Sequence, residues 1–435
     1  MESLEIKPLT APPHATIRVP GSKSITNRAL VLGALQSWYQ RFDLTGALRS
    51  EDTELMAQAL GKLGFHVDVR WPDVQFNPHG SNRPVPASTA DLFVGNSGTS
   101  MRFLTALCAL GQGRYRLDGV ARMRERPMHD LLAALNCAGI RAYSEANNGC
   151  PPVVIEAGDQ WTEPGATIRG DISSQFVSAL LMIGPFVPLF HRDMTWMLRL
   201  EGPLVSHPYV EMTKAMMHAW GATWREDNGL FIFAACESMA SFGIAAPYHV
   251  EPDASAASYF WAAAAITGGE MRVEGITTKS IQGDVRFVEI LEDMGGQVVR
   301  GQSGITVQGA PLHGIDVDMN DISDTVMTLG AVACFAEGPT TIRNVAHIRH
   351  KETDRLAALA TELRRVGAGV DEFADGLTIH PRPLHGAEIE TYNDHRMAMS
   401  MALIGLKVPG IIIKNPGCVA KTYPRFWEDL ERLRA

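Results

Sequence analysis

One pattern recurs about six times along the 435 residues. An apolar, helix-like segment ends near a glycine, and a short strand-like stretch follows. The segments are QALGKLGFHVDV, AALNCAGIRAY, AMMHAWGATW, ILEDMGGQVV and ELRRVGAGV, and the C-terminal FWEDLERL is a sixth copy cut short. Their glycines, Gly64, Gly139, Gly221, Gly295 and Gly367, lie 75, 82, 74 and 72 positions apart. A period of roughly 75 residues is too long for a solenoid and fits a duplicated small α/β unit. Six units predict two similar domains of three, each unit a mixed sheet with two helices.

A second recurrence sits ahead of each copy. The helix-like runs SITNRALVLGAL, GTSMRFLTALCAL, SSQFVSALLMIG, DASAASYFWAAAA, SDTVMTLGAVACF and DHRMAMSMALIGL each lead to a strand and a turn, as in YRLDG, LRLEG, MRVEG, TIRN and IIIKN. All six open with Ser, Thr or Asp, the residues that cap helix N-termini. Charge crowds the same ends: Lys23, Arg28, Arg102, Asp253, Asp324, Asp394, His395 and Arg396, with Arg126 one element later. Helix N-termini carry orphan N–H groups and partial positive charge, which favour phosphate and carboxylate. Six such ends brought together would make an anion site.

The expected domains are residues 21–250 and 1–20 plus 251–435, with the N-terminal segment pairing with C-terminal strands. A net charge of −9 and a pI near 5.9 argue against a broad nucleic-acid surface. The six cysteines, Cys108, Cys137, Cys150, Cys236, Cys334 and Cys418, form no C-x-x-C pair, so buried free thiols in a reducing cytoplasm are expected. The start MESLEIKPLTAPP lacks the basic and apolar regions of a signal peptide. The longest apolar run, SALLMIGPFVPLF, is short for a bilayer span and holds two prolines. With no H-E-x-x-H and no Cys/His cluster, the chain suits metal chemistry poorly.

Several motifs carry the chemistry. In PGSKSITNRAL, Lys23 and Ser24 stand at a helix mouth, with Arg28 one turn on. This is not a Walker A loop, and a basic helix start explains it equally well. FVGNSGTSMRFL flanks Asn96 and Ser97 with glycines, and Gly98 lets a ligand approach the backbone, although an ordinary tight turn reads the same. DISSQF offers Ser173, Ser174 and Gln175, and PLVSHPYV offers Ser206 and Tyr209, all of which suit caps as well as ligands. IRHKETDRL places Lys351, Glu352, Asp354 and Arg355 within one turn, so Lys351 and Arg355 are expected on one helix face. Asp394, His395 and Arg396 precede a helix apolar almost throughout, where a solvent face is a poor explanation. Lys421 stands alone in CVAKTYP. Many cations with a few acid/base candidates, Asp324, Glu352 and His395, suit proton transfer between two anionic small molecules.

Taken in order, PGSKSITNRA, GNSGTSMR, RMRERP, SSQF, LVSHPY, DASAASYF, QGD, KETDRL, YNDHRMAM and AKTYP resemble the 5-enolpyruvylshikimate-3-phosphate (EPSP) synthase family essentially end to end. The resemblance implies a cofactor-free enzyme of two hinged three-unit domains with its ligands between them. It implies transfer of the enolpyruvyl group of phosphoenolpyruvate to the 5-hydroxyl of shikimate 3-phosphate through a tetrahedral intermediate. It places shikimate 3-phosphate on Lys23, Ser24, Arg28, Ser173, Ser174, Gln175, Ser206, Tyr209, Asp324, His347 and Lys351. It places phosphoenolpyruvate on Lys23, Asn96, Gly98, Arg126, Gln175, Arg355, Arg396 and Lys421. Asp324 would be the base and Glu352 the acid, with Lys23 and His395 also in the catalytic set. Glyphosate, which occupies the phosphoenolpyruvate site in many members, would then inhibit. The partners expected are these two small molecules, with no nucleic acid, no membrane and a monomeric chain.

His347 departs from the family pattern, since related enzymes carry Asn four residues before the KETDR lysine, where it helps bind the shikimate ring. Two alternatives stand. UDP-N-acetylglucosamine enolpyruvyl transferase shares the fold, but it carries a reactive Cys in the loop that here reads ARMRERP, and a Lys-Asn pair where this chain has GSKS. A non-catalytic anion-binding protein on the same scaffold would not need the acid and base residues.

Overall fold

A computed structural model describes residues 2–158, 161–190, 195–234 and 242–434. The chain divides into two compact units: an inserted unit, Ser22–Val250, and a split unit, Met1–Gly21 with Glu251–Ala435. The chain opens in the split unit with β1 (Ser3–Ile6) and β2 (His14–Ile17).

The inserted unit runs α1 (Lys23–Gln36), β3 (Phe42–Thr45), α2 (Glu51–Lys62), β4 (His66–Arg70) and β5 (Asp73–Asn77). It continues through β6 (Thr89–Phe93), α3 (Gly98–Cys108), β7 (Gly113–Asp118), α4 (His129–Cys137), β8 (Arg141–Ser144) and β9 (Val153–Ala157). Its last part is β10 (Gly165–Arg169), α5 (Ser174–Ile183), β11 (Trp196–Glu201), α6 (His207–Ala219), β12 (Arg225–Asp227), β13 (Leu230–Phe233) and β14 (Tyr248–His249). The split unit resumes with α7 (Ala254–Thr267), β15 (Glu270–Glu274), α8 (Phe287–Asp293), β16 (Gln297–Arg300) and β17 (Gly304–Gln308). Then come β18 (Asp316–Asp318), α9 (Val326–Ala333), β19 (Thr340–Arg343), α10 (Arg355–Arg365), β20 (Gly369–Phe373) and β21 (Gly376–His380). The chain ends with β22 (Ala387–Ile389), α11 (His395–Gly405), β23 (Ile411–Lys414) and α12 (Phe426–Glu431).

The repeat is a β-α-β-α-β-β unit. β6 runs parallel to β7, and β9 pairs antiparallel with both β7 and β8, giving the order β6-β7-β9-β8. A parallel pair needs a crossover, which the unit's first helix supplies, whereas the last two strands need only a hairpin. The sheets β10-β11-β13-β12 and β18-β19-β21-β20 repeat this order. Two repeats take their first strand from far along the chain: β14 joins β3, and β2 joins β15. The sixth sheet, β22-β23-β1, is closed by the N-terminal strand, with Ile6 opposite Ile411.

Local chemistry explains the periodicity. Gly64, Gly139, Gly221, Gly295 and Gly367 all adopt positive φ, from 76° to 110°, where only glycine is unstrained. The turn after the second strand is also left-handed in most repeats, with Asn344 and Asn415 standing where Gly46, Gly202 and Gly275 stand elsewhere. The first helices are buried nearly all round; α11 is buried from His395 to Gly405 and α1 from Ile25 to Gln36. Such helices must lie inside a domain, and accordingly α9 packs on α7 and α11, while α3 packs on α1 and α5.

Two expectations need correction. Lys351 and Arg355 do not share a helix face: Lys351 is non-helical, and α10 begins at Arg355 with Asp354 as its cap. The start of α9 has no side-chain cap, because Asp324 lies one residue before the cap position, Thr325, in a 3-10 segment, Ser323–Thr325, and is used elsewhere. The other five starts are capped by Ser22, Ser97, Ser173, Asp253 and Asp394, although Ser22 and Ser97 stand ahead of the runs read as helix. Five cysteines are free, but only Cys108 and Cys334 among them are buried; Cys150 and Cys418 are half-buried and Cys137 is exposed; Cys236 lies outside the described residues. Among these residues no helix is long and apolar enough to cross a membrane.

Two glycine substitutions should move stability in opposite directions. A Cβ on Gly295 (φ +110°) would lie 2.8 Å from Pro311 O. Gly295→Ala should therefore cost about 1–3 kcal/mol. Gly61 sits within α2 with open space around it. Gly61→Ala should gain about 0.5–1 kcal/mol. Urea unfolding midpoints of the two variants would check both signs.

Candidate active site

In the split unit, three separate helix starts deliver one ion cluster. Asp324 precedes α9, Lys351 and Glu352 precede α10, Arg355 opens α10, and Asp394 and Arg396 stand at the start of α11. Asp324 Oδ1 accepts from Lys351 Nζ at 2.5 Å and Arg355 Nη1 at 3.1 Å. Its Oδ2 accepts from Arg396 Nη2 at 2.7 Å. Burial opposes ionisation of Asp324, but Arg396, Lys351 and Arg355 override it and hold the carboxyl well below the usual range. Burial lowers the Lys351 pKa, and Asp324 pulls it back only in part.

Arg355 is the hub. It is 1% exposed and also donates to Asp394 at 2.8 Å through Nε and to Glu352 at 2.8 Å through Nη2. Three carboxylates around one guanidinium outweigh its burial and raise its pKa. Glu352 completes the chain of charge, 3.8 Å from Lys421 Nζ. His347 Nε2 lies 2.9 Å from Ser323 Oγ, which also accepts from Lys351 at 3.3 Å. Burial and then Lys351 push the His347 pKa down to about 3, so its imidazole is neutral at physiological pH. His395 is wholly buried, 3.6 Å from Asp394.

The inserted unit assembles a second cluster. Lys23 opens α1 and lies 3.5 Å from Asp52, a buried acid on α2. The Asp52 carbonyl accepts from Ser100 on α3, so this residue ties two helix starts together. On α3, Gly98 lies directly against the guanidinium of Arg126, which donates to Asn96 O at 3.0 Å. Arg102 folds back to Gly98 O at 3.2 Å and reaches Pro127 O at 2.9 Å, fixing the Arg126 loop. Gln175 on α5 donates to Thr99 at 3.3 Å. Ser174 is the buried first residue of α5, and Ser173 is its cap.

Arg28 is 2% exposed and joins three helices. Nε donates to Thr213 at 2.7 Å, Nη1 to Ser24 O at 2.9 Å, and Nη2 to Tyr209 O at 2.9 Å and Ser178 at 3.3 Å. These acceptors are all neutral, and burial lowers the Arg28 pKa to about 10. It holds Ser24 and the Tyr209 backbone in place. Ser206 is buried and left-handed at φ 51°, a strained position for serine at the entry to α6.

Thus Asn96, Gly98 and Arg126 come together, as do Asp324, Lys351, Arg355 and Arg396. Sequence reading missed Asp52, which stands in the first turn of α2 outside the motifs singled out. It also left Arg102 without a role; its buried hydrogen bonds to backbone carbonyls carry no sequence pattern. Among the described residues no group of His, Cys, Asp and Glu is arranged to hold a metal.

Removing one member of a buried ion cluster leaves the others uncompensated. Asp394→Asn should cost about 3 kcal/mol or more, because the carboxylate is 0% exposed, pairs with Arg355 and caps α11. A denaturant midpoint within error of wild type would contradict this account of the cluster.

The whole chain has close relatives. A family model described as EPSP synthase (3-phosphoshikimate 1-carboxyvinyltransferase) matches residues 10–430. The chain is 48% identical over 430 residues to the 3-phosphoshikimate 1-carboxyvinyltransferase of Trichormus variabilis, covering 98% of each. It is 43% identical to that of Shewanella loihica over 441 residues, covering 100% of each. A solved EPSP synthase structure from Acinetobacter baumannii superposes with a TM-score of 0.80 at 26% identity, covering 100% of this chain and 98% of that one. Family match, end-to-end identity and shared fold agree: the chain belongs to the EPSP synthase family.

Proposed function

We infer that this protein transfers the enolpyruvyl group of phosphoenolpyruvate to the 5-hydroxyl of shikimate 3-phosphate and releases phosphate, a step of aromatic amino-acid biosynthesis. The observation that carries the chemical reading is Asp324, an ionised carboxylate held by three cations beside a second acid, Glu352. Anions drawn to Lys351, Arg355 and Arg396 take a share of the charge that now rests on Asp324. Its pKa then rises, and it becomes a better base as the substrates arrive.

In this reading Asp324 takes the proton of the 5-hydroxyl as its oxygen attacks C2 of phosphoenolpyruvate. Glu352 gives a proton to the methylene carbon C3, which yields a tetrahedral ketal phosphate. Loss of a C3 proton and cleavage of the C2–O bond then release phosphate and restore the double bond. Lys23, Arg126, Arg355, Arg396 and Lys421 are assigned to the phosphate and carboxylate of phosphoenolpyruvate, with Asn96, Gly98 and Gln175. Lys23, Ser24, Arg28, Ser173, Ser174, Gln175, Ser206, Tyr209, Asp324, His347 and Lys351 are assigned to shikimate 3-phosphate. Fixed cations where charge develops are typically the largest catalytic contribution. The neutral His347 can offer the ring hydroxyls a donor or an acceptor, as an amide would. No step is assigned to His395.

Phosphate release on mixing both substrates tests the function. Substituting UDP-N-acetylglucosamine for the shikimate acceptor should abolish release. Asp324→Asn should lower kcat at least about 10²-fold with shikimate 3-phosphate affinity kept within tenfold, and Glu352→Gln should also act mainly on kcat. Near wild-type turnover in either variant would remove that residue from its role.

Gly98 sets a second expectation. A methyl group there would collide with the Arg126 guanidinium and stand 2.9 Å from Arg102 Nη1. Arg126 must shift, and Arg102 leaves it little room. We expect the parent enzyme to be inhibited by glyphosate in competition with phosphoenolpyruvate. Gly98→Ala should raise the glyphosate Ki about 5- to 150-fold and the substrate KM by less. Equal rises, or a parent already insensitive, would sink this reading.

A further inference from the structure

Asp284 is a buried carboxyl that the chemistry above does not use. It stands in the 3-10 turn Gly283–Arg286, within the sequence IQGD, and is 3% exposed. Its turn is docked on the start of α7. The preceding Gln282 accepts from Ala254 N–H at 3.0 Å and donates to Pro252 O at 2.7 Å. Ser255 Oγ donates to Asp284. The same hydroxyl accepts from Arg396 Nη2 at 3.4 Å, and that nitrogen also donates to Asp324 at 2.7 Å. A chain of hydrogen bonds therefore runs from Asp284 through Ser255 and Arg396 to Asp324, with a carboxyl at each end and one guanidinium between.

We propose that Asp284 is a positioning residue for Arg396: through Ser255 it orients the guanidinium against Asp324, and its charge competes with the anionic substrate for that guanidinium. The proposal rests on the assignment of Arg396 to phosphoenolpyruvate. Because the carboxyl accepts the Ser255 proton, the hydroxyl turns its lone pairs toward Arg396. The charged groups around Asp284 are Asp324 before α9, Arg396 on α11 and Asp253 at the cap of α7. Burial raises the Asp284 pKa to about 6; Asp324 adds to the rise and Arg396 opposes it. Its charge therefore changes inside the working range of an enzyme. Linkage makes the effect reciprocal: an anion that occupies Arg396 raises the Asp284 pKa, and ionised Asp284 weakens that anion by the same factor.

The test compares wild type with Asp284→Asn for the KM of phosphoenolpyruvate between about pH 5 and pH 8. Titration of the substrate itself cancels in the ratio of the two values. The ratio of wild type to variant should be near one at the acid end and rise to about tenfold at the alkaline end, the effect of one pKa unit of coupling. The change should fall on KM rather than kcat. A flat ratio, or an effect on kcat alone, would overturn the proposal. Carbon-13 NMR of the unmodified protein, labelled at the aspartate carboxyls, gives a second reading. A carboxyl titrating near pH 6 should move to higher pH when phosphoenolpyruvate alone is added, and the absence of such a shift would equally overturn it. That measurement needs no turnover, so it decides the role of Asp284 even if phosphate release, the test of the function itself, fails.

Discussion

The buried guanidinium of Arg355 is the interaction on which the split unit's site depends. One side chain, 1% exposed, meets Asp324, Glu352 and Asp394, carboxylates from three different parts of the chain. A charge in that position is tolerable only when paired and hydrogen-bonded on several sides. The same requirement fixes where each carboxylate can stand, so the charge that costs most to bury also sets the site's geometry. The helices behind it bear the cost. α9 and α11 are apolar and wholly buried, and they hold their charged tips in place by packing.

The inserted unit solves the corresponding problem with a different balance of charge. Arg28 is equally buried, yet its acceptors are hydroxyls and backbone carbonyls. Its charge is therefore not neutralised by a carboxylate among these partners. Lys23, also on α1, lies 3.5 Å from Asp52. Arg28 is thus held by neutral acceptors, while Arg355 is held by carboxylates. In the proposed reaction the first arrangement suits holding anions, and the second suits moving protons between an acid and a base.

Much of this was legible in the chain because the repeat is written in residues with a single physical meaning. A glycine at positive φ and a capping Ser or Asp each point to one backbone geometry, and they recur at matching places. Asp324 shows where that reading stops. It stands beside the position where its sister helices carry a cap; the sequence offered it as an acid/base candidate, but the three cations that converge on it are visible only in the fold. Lys351 misled in the opposite way: a four-residue spacing implied one helix face, but the segment turns before α10 begins. The pairing of the N-terminal segment was expected, but the return of β14 to β3 was illegible for a plainer reason. β14 is two residues long, and a strand that short leaves no alternating pattern.

The approach to α11 shows how strain is kept at the site. Tyr392 and Asn393 are both left-handed, at φ 53°, immediately before Asp394 and Arg396. Two such residues in succession would cost about 1–3 kcal/mol each, so the surroundings must over-determine them. Helix α10 does this from both its ends. At its start Arg355 grips Asp394; two turns on, the buried Glu362 accepts from Tyr392 Oη at 2.7 Å and from Glu390 N–H at 3.1 Å. Residues seven apart lie on one helical face. A single rigid helix therefore clamps the strained segment at two points, and Arg396 is aimed by a backbone that would relax if either clamp were released. Glu362 touches none of the residues assigned to substrate. Its burial is explained by the geometry it enforces on Arg396.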